Sequence, residues 1–317
     1  MKLVIVTGCL GLIGSHITRE CLEKGWQVLG IDKCTYASNP QFISEFQKNS
    51  NFTFLKEDIT RLKILPHCDY IINTAAESHV GTSIIESEDF IHSNVMGVKN
   101  LLDLIRKKPE NIEPRPILFH FSTDEVYGDI TEGDHVETDI LKPSNPYSAS
   151  KAAADMLILA WARTYGLKYL IIRPTNNYGI GQYPEKLVPI CIKHLQRGKT
   201  IRLHDEGAPI RNWLHSADTA TAVTTIIESG VHNEIFNVAG GFEQTNLETV
   251  KQILAAFHGN LPENYMDYLD LTKKRPGQDV RYALNDSKLK GLGWKPKKDF
   301  SKEIQSIVEY YKTNFKW

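Results

Sequence analysis

Two acids stand side by side in FSTDEVYG, Asp124 and Glu125, directly after the apolar run ILFHFS. Burying adjacent carboxylates at the end of a strand is costly unless they are paired or put to use. Neighbouring carboxyls in different surroundings can be split into a proton donor and a proton acceptor, aimed at adjacent atoms of a substrate. Without other motifs, the pair would read as a helix cap followed by a surface acid. Further on, PYSASKAAAD sets Tyr147 and Lys151 at i and i+4 on one helix face. Free tyrosine titrates near pH ~10 and is a poor base at neutrality. A nearby ammonium favours the phenolate, so Lys151 is expected to lower the Tyr147 pKa. Such a pair can take a proton from a sugar hydroxyl while hydride leaves the same carbon. Ser122, closing the apolar run, would hydrogen-bond that hydroxyl. Tyr127 reads as a turn residue and carries no chemistry.

A second group of residues suits a dinucleotide. The run LVIVTG feeds TGCLGLIGS, where Gly8, Gly11 and Gly14 precede a helix. Glycines there let the backbone turn and approach a pyrophosphate, which the helix N-terminus faces. Asp32 ends the second apolar run, VLGID, placed to accept from an adenosine ribose and to repel a 2′-phosphate. NAD is therefore favoured over NADP, although Lys33 beside it softens the preference. Asp58, after FTFLKE, suits either an adenine amino group or a helix N-cap.

These residues need a frame. LVIVTG, QVLGID, FTFL, YIINTAA, ILFHFS and YLIIRP read as continuous apolar strands, separated mostly by amphipathic segments such as SHITRECLEK. That alternation predicts a parallel sheet covered on both faces, an α/β fold with a Rossmann-type doubly wound sheet. The expected division is a cofactor domain over 1–174 and a smaller mixed substrate domain over 175–317. The chain is expected to return to the sheet at about 211–240. Among 317 residues, 41% are hydrophobic, and 37 Lys plus Arg balance 38 Asp plus Glu. No global field therefore draws the chain to nucleic acid or an anionic membrane. No apolar stretch approaches the ~18 residues of a membrane span. Five scattered cysteines without CxxC spacing argue against a disulfide framework and against a zinc site. MKLVIVTG runs straight into the glycine loop and leaves no room for a signal peptide, so a cytoplasmic protein is expected.

Together, TGxxGxxG, Ser122 and YxxxK resemble the extended short-chain dehydrogenase/reductase family. Within it, STDEVYG, DKCTYASN, AAESHV, NPYSASKAAAD, RPTNNYG, PEKLVP and RPGQDVRY are similar to nucleotide-sugar 4,6-dehydratases, in order from residue 2 to about residue 310. The resemblance implies bound NAD, a nucleotide-sugar substrate such as dTDP-glucose or UDP-glucose, and a homodimer formed through helices at 89–106 and 147–165. It makes Glu125 the base at C5, Asp124 the acid at the C6 oxygen, and Thr123 a holder of the sugar near O4. The cofactor would also meet Leu12, Ile13, Ile59, Ala75, Ala76 and Asn177. Arg211 and Arg275 would hold the diphosphate. Ser78, His79, Asn176, Glu185, Lys186 and Asn246 would line the sugar or nucleotide. Two departures stand out, Gly81–Thr82 after AAESHV and Gln278 in RPGQD. A UDP-glucose 4,6-dehydratase would share every catalytic motif. A C4 epimerase needs no acid pair at this point, and an idle cofactor-binding scaffold would not need Ser122, Tyr147 and Lys151 together.

Overall fold

In this computed structural model, residues 1–108, 114–274 and 279–315 are described. Strand β1 (Leu3–Thr7) buries Val4 and Val6 on one side of the sheet and Ile5 on the other. Two-sided burial is why the strands read as continuous apolar runs. Helix α1 (Leu12–Glu23), β2 (Gln27–Asp32), α2 (Gln41–Phe46), β3 (Phe52–Lys56) and β4 (Tyr70–Asn73) follow. Then come α3 (Val80–Ile85), α4 (Glu88–Phe90), a π-helical stretch over Ile91–Met96 and α5 (Gly97–Arg106). Strand β5 (Ile117–Phe121), α6 (Pro146–Tyr165) and β6 (Tyr169–Pro174) complete this part.

The remaining chain contains β7 (Asn176–Tyr178), α7 (Leu187–Gln196), β8 (Ile201–His204), β9 (Ile210–His215), α8 (Ser216–Ser229) and β10 (Glu234–Val238). It ends with β11 (Glu243–Thr245), α9 (Asn246–His258), β12 (Leu269–Lys273), α10 (Ser287–Lys290) and α11 (Phe300–Asn314). The main sheet has the order β10-β6-β5-β4-β1-β2-β3, with every pairing parallel. Helices α1 and α8 pack on one face; α5 and α6 cover the other, with Val98, Leu101, Leu102 and Ile105 at helical spacing. The Rossmann-type expectation holds. Strand order reverses between β1 and β4, and open α/β sheets bind ligands outside the carboxyl ends of the strands at such a point.

A second core joins α7, α9 and α11 around Trp213, Ile253, Phe300 and Ile307. It supports a small mixed sheet, β11-β9-β7, and the parallel pair β12-β8. Beyond residue 242 the short strands β11 and β12 alternate with the helices. Helix α8 packs on α1, and β10 pairs with β6 at the edge of the main sheet.

Candidate active site

The glycine loop leaves β1 with Gly8 at φ +71, and Gly8 N donates to Ile31 O at 2.7 Å. A Cβ at Gly14 would run into the Gly8 carbonyl, so glycine there lets α1 close onto β1. Leu12 and Ile13 open α1 and line the main cleft with Gly8, Gly11 and Gly14. An adjoining recess is lined by Asp32, Lys33, Asp58, Ile59, Ala75 and Ala76. Asp32 accepts from Leu10 N at 3.0 Å, Cys34 N at 2.8 Å and Ser38 Oγ at 2.8 Å. Two of these bonds fall on Oδ1 and one on Oδ2, which leaves a lone pair on Oδ2 for a further donor. Lys33 is paired with Glu77 at 3.4 Å and donates to Ser93 Oγ at 3.1 Å, so its charge is already matched. Asp58 Oδ1 accepts from Thr60 N and Oγ1, both at 2.8 Å. It thus caps a turn, not a helix, and faces the recess as well.

The main cleft, about 810 Å³, runs from this loop past the ends of β5 and β6 to the second core. Ser122 to Glu125 leave β5 in a single 3₁₀ turn whose cap is Thr123: its hydroxyl accepts from Glu125 N at 3.4 Å. Asp124 is therefore not the capping acid. Thr123 Oγ1 also donates to Asp124 Oδ1 at 3.0 Å, while Asp124 Oδ2 is buried with no hydrogen-bond partner among the described residues. Burial, then the neighbouring Glu125, push the Asp124 carboxyl up to about 7. Burial also raises Glu125, and Asn145, Arg211 and Lys186 pull it back. Asn145 Nδ2 donates to Glu125 Oε2 at 3.2 Å.

Tyr147 and Lys151 lie on α6, facing the same cleft. The expected lowering of the tyrosine by lysine does not prevail here. Burial and the Glu125 carboxylate push the Tyr147 phenol up, and only Thr123, by hydrogen bonding, acts strongly the other way. Lys151 is itself lowered to about 8 by burial, opposed by Asp155. The i,i+4 spacing brings the two together, but the dry surroundings and the two acids govern the proton. Ser122 also lines the cleft, yet its hydroxyl donates to Asp155 Oδ2 at 3.0 Å.

Across the cleft stand Ser78, His79, Asn176, Asn177, Glu185, Lys186, Arg211 and Asn246. Arg211 Nη1 donates to Ile210 O at 2.7 Å and Nη2 to Asp279 O at 3.1 Å, and its guanidinium stacks 4.7 Å over the Tyr282 ring. Held by carbonyls and a ring, it keeps its charge for an anion. Lys186 Nζ donates to Ser78 O at 2.7 Å. Asn177 spends its amide on Thr175 O at 3.0 Å and accepts from Thr219 Oγ1 at 2.6 Å. His79 accepts from Thr82 N at 3.2 Å, with Thr82 Oγ1 2.7 Å from the same nitrogen. The Gly81–Thr82 departure therefore orients a cleft histidine. Arg275 and Gln278 lie outside the described residues.

Three residues were missed. Asn145 was legible as the N-cap before the tyrosine helix. Tyr282, whose hydroxyl donates to Asp279 Oδ2 and lies 3.4 Å from Glu125 Oε2, comes from the far end of the chain and carries no local signal. Asp155 is one helical turn beyond Lys151.

The sequence pattern of the "NAD dependent epimerase/dehydratase family" matches residues 4–239. The chain belongs to that family. Within it, the dTDP-glucose 4,6-dehydratase of Haemophilus influenzae is 38% identical, over 99% of this chain and 99% of that one. The one from Neisseria meningitidis serogroup B is 37% identical over 100% and 95%. The crystal structure of the Streptomyces venezuelae dTDP-glucose 4,6-dehydratase DesIV, with NAD bound, superimposes with a TM-score of 0.91 at 34% identity, covering 99% and 98%. This chain is thus an epimerase/dehydratase-family member whose full-length relatives include several dTDP-glucose 4,6-dehydratases. Among the described residues no helix is long and apolar enough to cross a membrane.

Proposed function

We propose that the chain is an NAD-dependent hydro-lyase that converts dTDP-glucose to dTDP-4-dehydro-6-deoxyglucose and water. The observation that carries the reading is the wall of the cleft where a neutral-leaning acid, a second carboxyl and a tyrosine–lysine pair converge. The glycine loop, the free lone pair on Asp32 and the matched charge of Lys33 fit NAD. When bound, NAD supplies a hydride acceptor that is restored within each cycle. Tyr147, aided by Lys151 and Thr123, takes the proton from O4 as C4 becomes a ketone. The ketone acidifies the C5 hydrogen, which Glu125 removes. Asp124 gives its proton to the C6 oxygen, which departs as water. Glu125 returns its proton to C5 as C6 gains the hydride that C4 lost, and the proton taken by Tyr147 restores Asp124. Arg211 and Arg275 would hold the diphosphate end, and Lys186 would line the sugar or nucleotide.

The main sheet with α8 and β10 would form the cofactor half, and the rest of the chain beyond residue 175 the substrate half. We take the working form to be a cytoplasmic homodimer. Incubation of purified protein with dTDP-glucose should yield a 4-keto-6-deoxy product, with UDP-glucose turned over more slowly. Absence of that product from dTDP-glucose refutes the reading. Glu125→Gln should lower product formation ~10²–10⁴-fold while substrate binding persists.

A further inference from the structure

Beneath the acid–tyrosine wall lies a buried polar cluster that the reaction above leaves unused. Asp155 on α6 and Arg173 at the end of β6 are both essentially inaccessible. Arg173 gives Nε and Nη2 to one carboxylate oxygen, Asp155 Oδ2, at 3.1 and 3.0 Å. Ser122 Oγ gives its only proton to the same oxygen at 3.0 Å. Arg173 Nη1 donates to Tyr127 OH at 2.7 Å and to Glu137 O at 3.3 Å. Tyr127 OH donates to Asn237 Oδ1 at 2.8 Å, and its ring lies 4.8 Å from the guanidinium. Tyr127, the tyrosine beside the two acids, thus anchors Arg173.

A buried ion pair is weak evidence of a stabilising role, since apolar groups of similar volume often serve as well. This pair is placed where two groups of the oxidation step need it. Lys151, also buried, is one helical turn from Asp155. The ionisable groups around the ammonium are Asp155 and Tyr147 from its own helix and His120 from β5. Burial favours loss of the Lys151 proton, and Asp155 opposes it.

We propose that Asp155, clamped by Arg173, is a positioning residue for Ser122 and Lys151: it takes the Ser122 proton, so that the hydroxyl meets the substrate as an acceptor, and it holds the positive charge on Lys151. Ser122 then cannot donate to the C4 oxygen once that oxygen is a carbonyl. Donation falls to Tyr147, since Thr123 gives its own proton to Asp124 Oδ1 at 3.0 Å. The inference rests on the dehydratase reading for the identity of the substrate, but its first measurement needs none.

Two variants test it. Asp155→Asn removes the charge with the shape retained. The paired Asp155→Leu, Arg173→Met variant removes both charges, so that no unpaired ion remains to unfold the core. In lysine-labelled protein, the Lys151 side chain is followed by NMR against pH and identified by the signal lost in Lys151→Met. Its midpoint should fall by about one pH unit in both variants. The high-pH limb of the dehydratase rate should fall with it, and Ser122→Ala should cost a smaller fold-change in the paired background than in the wild type. A folded paired variant whose Lys151 titrates as in the wild type, and in which Ser122→Ala costs its full factor, overturns the proposal. If the wild type leaves dTDP-glucose unchanged while the Lys151 midpoint still moves, the dehydratase reading fails and the role of Asp155 stands.

Discussion

Asp124 is held where its neutral form suits the folded chain best, and that has a thermodynamic signature separate from catalysis. Burial and Glu125 raise its carboxyl to about 7. A folded pKa above the unfolded one contributes stability that is present below about pH 4 and lost as pH rises through about 7. Above that window the buried anion costs on the order of 4 kcal/mol, at about 1.4 kcal/mol per pH unit. Asp124→Asn should therefore leave the melting temperature unchanged near pH 4 and raise it progressively toward pH 8, while product formation falls ~10²–10⁴-fold. Thermal melts across that range decide it, and an equal change at every pH would remove the proton from Asp124. The identities of Asp124, Glu125, Tyr147 and Lys151 were legible because one turn and one helix carry all four. The upward shift of Tyr147 was not, because it depends on how dry the cleft is and how near Glu125 lies. Tyr282 was invisible for a simpler reason: it reaches Glu125 across a separation of 157 residues.

Helix α6 begins where its cap can serve two ends at once. Asn145 Oδ1 accepts from Ser148 N at 2.9 Å, Ser148 Oγ accepts from Asn145 N at 3.3 Å, and Pro146 takes the first helical position. The same amide turns its nitrogen to Glu125. Ser at the cap would replace the helix bond to within ~0.5 kcal/mol but could not reach the carboxylate as an amide does. Asn145→Ser should thus keep the melting temperature near the wild-type value while the acid limb of the rate–pH profile moves upward. An unchanged profile would mean that the cap does not tune Glu125. The long strands and helices were readable from their apolar periodicity. The short strands were not: β7 has three residues, and β12 is at best half-buried along its length. Pairing partners, not local preference, make them strands.

At the scale of the whole chain, one face remains apolar and uncovered. Ile84 and Ile85 of α3, Ile91 and Met96 of the π-helical stretch, and Met156 of α6 are all exposed. These elements pack against one another on one face of the sheet. Scattered surface apolar residues are ordinary, but five large ones on adjoining helices suit an interaction surface. We propose a second copy of this chain as the occupant, since a two-fold axis would set the same helices against themselves. Tyr147 and Lys151 sit on the opposite side of α6 from Met156, so association there would stiffen the helix that carries them without blocking the cleft. The wild type should sediment as a two-chain particle. Met156→Glu together with Ile91→Glu should give single chains, because four carboxylates would be forced into one dry interface. The single chains should retain the fold, with a lower melting temperature that no longer depends on protein concentration. Analytical ultracentrifugation of the two proteins checks this, and a wild type that sediments as one chain would leave the face to another partner.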